Sequence, residues 1–271
     1  MGLRVNTNIA SMTSQRNLGA VSGRLQGNFS RLSSGLRIAT AADDAAGLGI
    51  SERMRSQIRS FSAAGRNAQD GVSLAQTADG AMQEIGNNLG RMRELAVQAS
   101  NGTLTTGDRA TLNNEFQELI SEIDRIATQT AFNGVSLLDG TTATVGIQVG
   151  INSGQTISMT MTDVDAAALA LTGDVTSAAN AGTALGVLDT AINSVSTGRG
   201  LIGAGINRMN SAIQSIASAR ENLSAAESRI RDVDVAMETA DLSRNSIMQQ
   251  AAVSVLAQAN QQPQLALNLL G

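Results

Sequence analysis

Three glycines, Gly198, Gly200 and Gly203, spell the G-x-G-x-x-G spacing with which a backbone wraps a dinucleotide pyrophosphate. Two carboxylate pairs, Asp43-Asp44 and Asp232-Val233-Asp234, have the composition from which a hard divalent cation is ligated. Neither pattern stands in the context its chemistry needs. No strand precedes the glycines, which lie inside a sustained heptad and so read as places for close helix contact. The aspartates lack a ligand loop and read as helix-end charges that pair with nearby arginines. Composition removes most other catalytic means, because His, Cys, Trp and Tyr are absent and all 19 basic residues are arginine. General bases come mostly from His, many nucleophiles from Cys, Schiff bases from Lys, and transition-metal ligands from His and Cys. The expectation is a non-enzyme with no cofactor and no metal.

A formal charge of −4 without a basic stripe argues against nucleic acid as a partner. The chain opens Met-Gly-Leu-Arg-Val-Asn-Thr-Asn, with no apolar run of signal-peptide length, and no 18-residue apolar span follows, so membrane insertion is not expected. Taken alone, these features predict a cytosolic protein.

The elements that would position any site are helices. Leu185, Leu188, Ile192, Val195, Ile202, Ile206, Met209, Ile213, Ile216, Leu223 and Ile230 fall on one alternating 3/4 register, with Arg199, Arg220 and Glu227 as its other occupants. Such a 3.5 spacing specifies a long helix packed along a helical partner, and residues 184–229 would extend about 70 Å. A charge on this seam should pair with a facing acid, for which Glu84 and Glu94 are the candidates. A second long helix is expected from near Leu48 to Asn101-Gly102, and a third from a capping Asp108 to a turn at Asn133-Gly134. Alternation through Val145, Ile147, Val149 and Ile151, then Ile157, Met159 and Met161, predicts a β-hairpin within about residues 143–162 whose apolar face rests on the helices. Residues 165–183, rich in Ala, Thr and Gly, read as a linker with at most a short helix.

Both chain ends are amphipathic. Val5, Ile9, Met12, Leu18, Val21, Leu25, Phe29 and Leu32 form a stripe before Ser33-Ser34-Gly35, and Val233, Met237, Ile247, Ala251, Val255, Leu265 and Leu269 form another. Two lone helices of this kind bury too little to order themselves, so they must pair with each other or with neighbouring copies. The fold class is therefore mainly α, a long antiparallel helical bundle or coiled coil with a terminal helix pair and one small β-hairpin region.

The segments RLSSGLRIATAADDAAGLGISERMRSQIRS at residues 31–60, QTADGAMQEIGNNLGRMRELAVQASNGT at 76–103 and EIDRIATQTAFNGVSLLDG at 122–140 closely resemble bacterial flagellin. In the C-terminal half RGLIGAGINRM at 199–209, ENLSAAESRIRDVDVAMETADLSR at 221–244 and the closing LNLLG at 267–271 continue the match in order. The resemblance implies a short subunit of the flagellar filament, secreted and extracellular, that polymerises with many copies of itself for swimming motility. It implies a terminal helix pair, residues 1–33 and 236–271, lining a central export channel and assembling through Val5, Ile9, Leu25, Phe29, Leu32, Ile247, Val255, Leu265 and Leu269. Connectors at 34–47 and 230–235 would lead to a shell of residues 48–164 and 184–229, seamed by Leu188, Ile192, Ile202, Ile206, Met209, Ile213, Ile216 and Leu223. Residues 165–183 would stand where larger flagellins carry outer domains.

The resemblance also implies partners: the flagellar export apparatus, a chaperone that holds the C-terminal segment, and the filament cap and hook-junction proteins. The hairpin, at Ile157 and Met159, is expected to act as a two-position switch of filament curvature. Toll-like receptor 5, an animal innate receptor, is implied to recognise Arg91, Leu95, Gln98 and Glu115. The first three fall at i, i+4 and i+7 on one helix face, whose primary role is expected to be subunit contact. Gly90 departs from the Gln that family members commonly carry before that Arg. The rival expectation is a hook-filament junction protein, a relative sharing the terminal helices.

Overall fold

The computed structural model describes residues 7–268, with side-chain surroundings given through residue 261. Nine elements follow in order: α1 (Ile9–Ser34), α2 (Ala45–Ala99), α3 (Thr106–Gln129), β1 (Ala131–Phe132), β2 (Val135–Ser136), β3 (Thr144–Gln148), β4 (Thr156–Thr160), α4 (Ala178–Arg231) and α5 (Val235–Asn268). The mainly helical fold with a small β region is as the sequence predicts. The chain divides into two units, Gln57–Glu221 and the paired ends Met1–Ser56 with Asn222–Gly271, and α2 and α4 contribute residues to both.

In the unit of residues 57–221, α2 and α4 run antiparallel. Gly65 lies against Ile216 and Gly71 against Met209, while further along Arg93 bonds Asp189. The buried column of α4 is Ala181, Ala184, Leu188, Ala191, Val195, Gly198, Ile202, Gly205, Met209 and Ile216, stepping by three and four up to Met209. Half of the expected register is therefore right: Leu188, Val195, Ile202, Met209 and Ile216 are core. Its other half is displaced by one residue, because the second column is built of Ala and Gly, whose small side chains carry little hydrophobic signal yet let the packed layers approach. Ile192 and Ile206 pack half-buried against the core margin, and Ile213 and Leu223 are also half-buried. The α2 column (Ala64, Ala68, Gly71, Ala75, Ala78, Met82, Ile85, Leu89, Met92, Ala96 and Ala99) repeats the same 3/4 step.

Helix α3 covers one part of this pair with Phe116, Ile123 and Ala127. Its N-cap is Thr105, not Asp108. Asp108 sits three residues in and closes a capping box, its carboxylate accepting from the Thr105 amide and hydroxyl, which holds its pKa below the ordinary value. The turn at Asn133-Gly134 is a complete hairpin, β1 against β2, and not only the end of α3. Both turn residues have positive φ, 49° and 80°, as the tight turn between twisted strands requires.

Strands β3 and β4 pair antiparallel with Val145 opposite Met159 and Ile147 opposite Ile157. Their shared face buries Ile147, Ile157 and Met159 in the core. Residues 163–177 are not a loose linker, because Val164, Leu169, Leu171 and Val175 are all buried. The segment is pinned to α3 by the Val175 amide donating to Asn113 Oδ1 and by Gln117 Nε2 donating to the Gly173 carbonyl. Its alternation was too irregular for a period to reveal, and α4 starts earlier than expected, at Ala178.

The seam arginines also differ from expectation. Arg199 pairs with Asp79 at 2.8 Å, not with Glu84 or Glu94, and Arg220 is exposed with no ion pair among the described residues. Gly198 admits the segment after β4 rather than a bare helix contact: a Cβ there would lie 2.8 Å from Thr162 Oγ1 and 3.2 Å from Met82 Cε. Gly200 and Gly203 have open space. The glycine triplet is thus one packing glycine and two free ones. This contrast yields a paired test. Gly198→Ala should lower stability by roughly 1 kcal/mol through overpacking, while Gly200→Ala should raise it by up to about 1 kcal/mol through helix propensity. Urea unfolding of the two variants checks both signs.

Candidate assembly surface

The unit formed by the chain ends begins with its connectors. Gly35, at φ 70°, caps α1, and residues 35–38 then bond alongside 231–233, with Arg37 donating to the Arg231 carbonyl and Val233 to that of Gly35. Arg231 reaches back to Glu52 at 2.7 Å and holds that carboxyl below its ordinary range. One aspartate of each pair serves a helix end, Asp44 accepting from the Gly47 amide at the start of α2 and Asp234 from Ala236 and Met237 at the start of α5. Asp43 accepts from Ala39 and Thr40, and Asp232 from Ser228 Oγ. None of the four forms the expected ion pair with an arginine among the described residues. No group of three His, Cys, Asp or Glu side chains among the described residues could hold a metal ion.

Helices α1 and α5 pair antiparallel through a polar seam. Asn8 caps α1, accepting from the Ser11 amide, and donates to the Ala259 carbonyl at 2.7 Å. Ser11 Oγ donates to Asn260 Oδ1 at 2.7 Å. Near the other end, Asn28 Nδ2 donates to Glu238 Oε1 at 2.5 Å and Asn245 Nδ2 donates to Asn28 Oδ1 at 2.7 Å. Arg31 adds its charge 3.6 Å from the same Glu238 oxygen. Ser11, Asn28, Glu238 and Asn245 are the buried polar residues of this pair, and each has a hydrogen-bond partner. Amide and carboxylate partners at fixed heights allow one register, as an isolated polar position does in a coiled coil.

The large apolar residues divide: Leu18, Val21, Leu242 and Leu256 are half-buried, while others lie open. Ile9, Met12 and Phe29 on α1, and Val235, Met237, Ile247, Val253 and Val255 on α5, are each at least half exposed. Leu25 and Leu32 are half-buried. Leu25, Phe29, Leu242 and Ile247, with Ser243 and Ser246, line an open groove of about 380 Å³ between the two helices. A separate groove, with Gly23, Arg24, Gly27, Arg31 and Asp241, is polar and charged. Covering the eight exposed apolar side chains would recover roughly 1 kcal/mol each, a sum large enough to offset much of the entropy of docking a further chain. Val5 and Leu269, and the side chain of Leu265, lie outside the described residues.

The other anticipated contact lies in the unit of residues 57–221. Arg91, exposed, bonds Glu115 at 2.8 Å and Glu94 at 3.1 Å, and these carboxylates raise its pKa. Gln98 is exposed on the same helix. Leu95 is not part of this surface: it is buried in the core, because α2 turns two adjacent residues, Leu95 and Ala96, inward at this level. Of the expected patch, Arg91, Gln98 and Glu115 remain available. The hairpin residues Ile157 and Met159 face inward, the latter with Cε close to Gly205. Sequence reasoning missed the Asn28–Glu238–Asn245 clasp because it looked for apolar residues in the seam. The available signal was an amide on each terminal helix inside an otherwise apolar stripe.

Comparison with known proteins agrees in both halves of the chain. Residues 5–143 match the bacterial flagellin N-terminal helical region and residues 185–270 the bacterial flagellin C-terminal helical region. A flagellin of Halalkalibacterium halodurans is 51% identical, covering 98% of this chain and 99% of that one, and a flagellin of Bacillus subtilis is 45% identical over 99% and 100%. The crystal structure of Bacillus cereus flagellin superposes with a TM-score of 0.52 at 37% identity, covering 60% of this chain and 94% of that one. A putative flagellar hook-associated protein from Vibrio parahaemolyticus, at 13% identity and TM-score 0.61 over 70% of this chain and all of that one, shares the fold alone.

The polar clasp makes a direct prediction. Asn28→Ala strips Glu238 and Asn245 of a buried partner and should weaken the terminal pair by about 1–3 kcal/mol. Hydrogen exchange should quicken in α1 and α5 while residues 57–221 keep their protection.

Proposed function

The chain belongs to the bacterial flagellin family, and we infer that it acts through its two terminal helices as a self-polymerising subunit of the extracellular flagellar filament used for swimming. The observation that carries the reading is the outward-facing apolar surface of α1 and α5 around a polar seam. A helix pair held in register by hydrogen bonds, with its apolar side chains uncovered, is suited to neighbouring copies that supply the missing cover. Repetition of one such contact without closure generates a helical polymer. No helix among the described residues is long and apolar enough to cross a membrane. The family is a structural one, and no catalytic role is proposed.

Residues 1–33 and 236–271 serve in this reading as the inner core of the filament, with 34–47 and 230–235 as connectors and 48–229 as the shell, which takes in the packed segment 163–177 and the first turns of α4. That packed segment stands where outer domains would be inserted, so the filament is thin and smooth. The terminal helices bury little apolar surface on each other, so the subunit passes unfolded through the flagellar export apparatus and a chaperone covers the C-terminal segment beforehand. The filament cap and hook-junction proteins meet the same helices. The hairpin at Ile157 and Met159 is the element proposed to switch curvature. Arg91, Gln98 and Glu115 form the surface proposed for Toll-like receptor 5, secondary to subunit contact.

Seeded elongation followed by electron microscopy tests the main reading. The full chain should extend seeds into smooth filaments, and a truncation of residues 1–30 and 236–271 should not. Phe29→Asp with Ile247→Asp should slow elongation by at least about tenfold, since each places a carboxylate in an apolar contact. Filaments from the truncation would exclude the terminal helices as the driver. The same micrographs test the hairpin, where Ile157→Asp should change the waveform and an unaltered waveform counts against the switch. Receptor recognition is checked separately with Arg91→Ala, which should lower activation of receptor-bearing cells by soluble subunit; full activation removes that role.

A further inference from the structure

The chain has no Cys, Trp, Tyr or His, so its ten methionines are its readily oxidised side chains. Their placement is uneven. Met82, Met92, Met159, Met161 and Met209 are buried in the core of residues 57–221, and Met54 and Met248 are half-buried. Met12 and Met237 alone among the described methionines are freely exposed, at 63% and 69%. Both lie on the terminal helices, Met12 toward the N-terminal end of α1 and Met237 in the first turn of α5. The antiparallel pairing, Ser11 to Asn260 and Asn28 to Glu238, sets these two thioethers near opposite ends of the pair, each among the exposed apolar side chains of its helix.

We propose that Met12 and Met237 are oxidation sites of the free subunit, and that their conversion to sulfoxide blocks its addition to a filament. The proposal rests on the filament reading above. In the step, the nucleophilic thioether sulfur of Met12 or Met237 attacks one oxygen of a peroxide such as hydrogen peroxide. An S–O bond forms, the O–O bond breaks, and the second oxygen leaves as water after proton transfer. The sulfur is oxidised by two electrons and the peroxide reduced by two. The product carries a polar S=O group in place of an apolar thioether on the exposed stretches of α1 and α5 that the filament reading puts in subunit contact. A core thioether is shielded from the same reagent. Oxidative sensitivity is thereby concentrated on the surface that polymerisation covers, and a subunit in the filament is protected where the free one is not.

The test treats the purified full chain with hydrogen peroxide, maps sulfoxides by peptide mass spectrometry, and measures elongation from untreated seeds as the ratio of treated to untreated rate for each chain. Met12 and Met237 should oxidise first in the free subunit and should resist in assembled filament. The rate ratio of the unaltered chain should fall at least about tenfold, the effect of burying an unpartnered oxygen, and methionine sulfoxide reductases should restore it. Met12→Leu with Met237→Leu should hold its own ratio near one, while Met54→Leu with Met248→Leu should lose elongation like the unaltered chain. Undiminished elongation of a chain oxidised at both sites overturns the proposal, as does equal oxidation of core methionines or a fall in the Met12→Leu, Met237→Leu ratio matching the unaltered chain. Failure of untreated chain to elongate seeds would instead strike the filament reading.

Discussion

The structure depends on one constraint: the residues buried deepest between the terminal helices are mostly polar and hydrogen-bonded, and the large apolar residues there are at most half-buried. Asn28, Glu238, Asn245 and Ser11 are buried in the seam of α1 and α5, whereas Phe29 and Ile247 lie exposed beside the half-buried Leu25 and Leu242. A seam of leucines would have made a more stable pair and a poorer building block, because the apolar surface would then be used up inside one chain. Polar groups fix register at modest net energy, and the hydrophobic energy remains available for association.

The unit of residues 57–221 has the opposite character. Its core is continuous along α2, α4 and α3, is roofed by β3, β4 and residues 163–177, and uses Ala and Gly at alternate steps of a 3/4 repeat. This unit buries most of its large apolar side chains in its own core, with Val97, Val135 and Leu201 left exposed. A chain with one self-sufficient unit and one unit with uncovered apolar helices is suited to form order in the first and association through the second.

Much of this was legible in the sequence, and the failures have physical causes. Heptad spacing revealed the long helices and half of the α4 core, but a hydrophobicity-based register cannot see a column of Ala184, Ala191, Gly198 and Gly205. Family resemblance named Leu95 with Arg91 and Gln98, and their spacing agreed with one face, though a helix residue can turn inward where the core widens. Partner choice for Arg199 was beyond sequence, since Asp79 and Glu84 differ only in how two helices are offset. The Asn133-Gly134 hairpin was available to a reader attending to turn chemistry. Residues 163–177 were hidden because an irregular segment buries residues without a period. The outward terminal stripes were plainly visible, whereas the polar clasp that turns them outward required three residues from two distant helices to be seen together.

The central claim is that α1 and α5 become fully stable only when other copies cover them. Amide hydrogen exchange compared between free subunit and filament tests it most directly. The account predicts that protection of residues 9–34 and 235–261 rises strongly on polymerisation, while residues 57–221 are already well protected in the free chain. Equal protection of the terminal helices in both states would contradict it, since the pair would then be stable without neighbours and its uncovered apolar surface would have no part in ordering it.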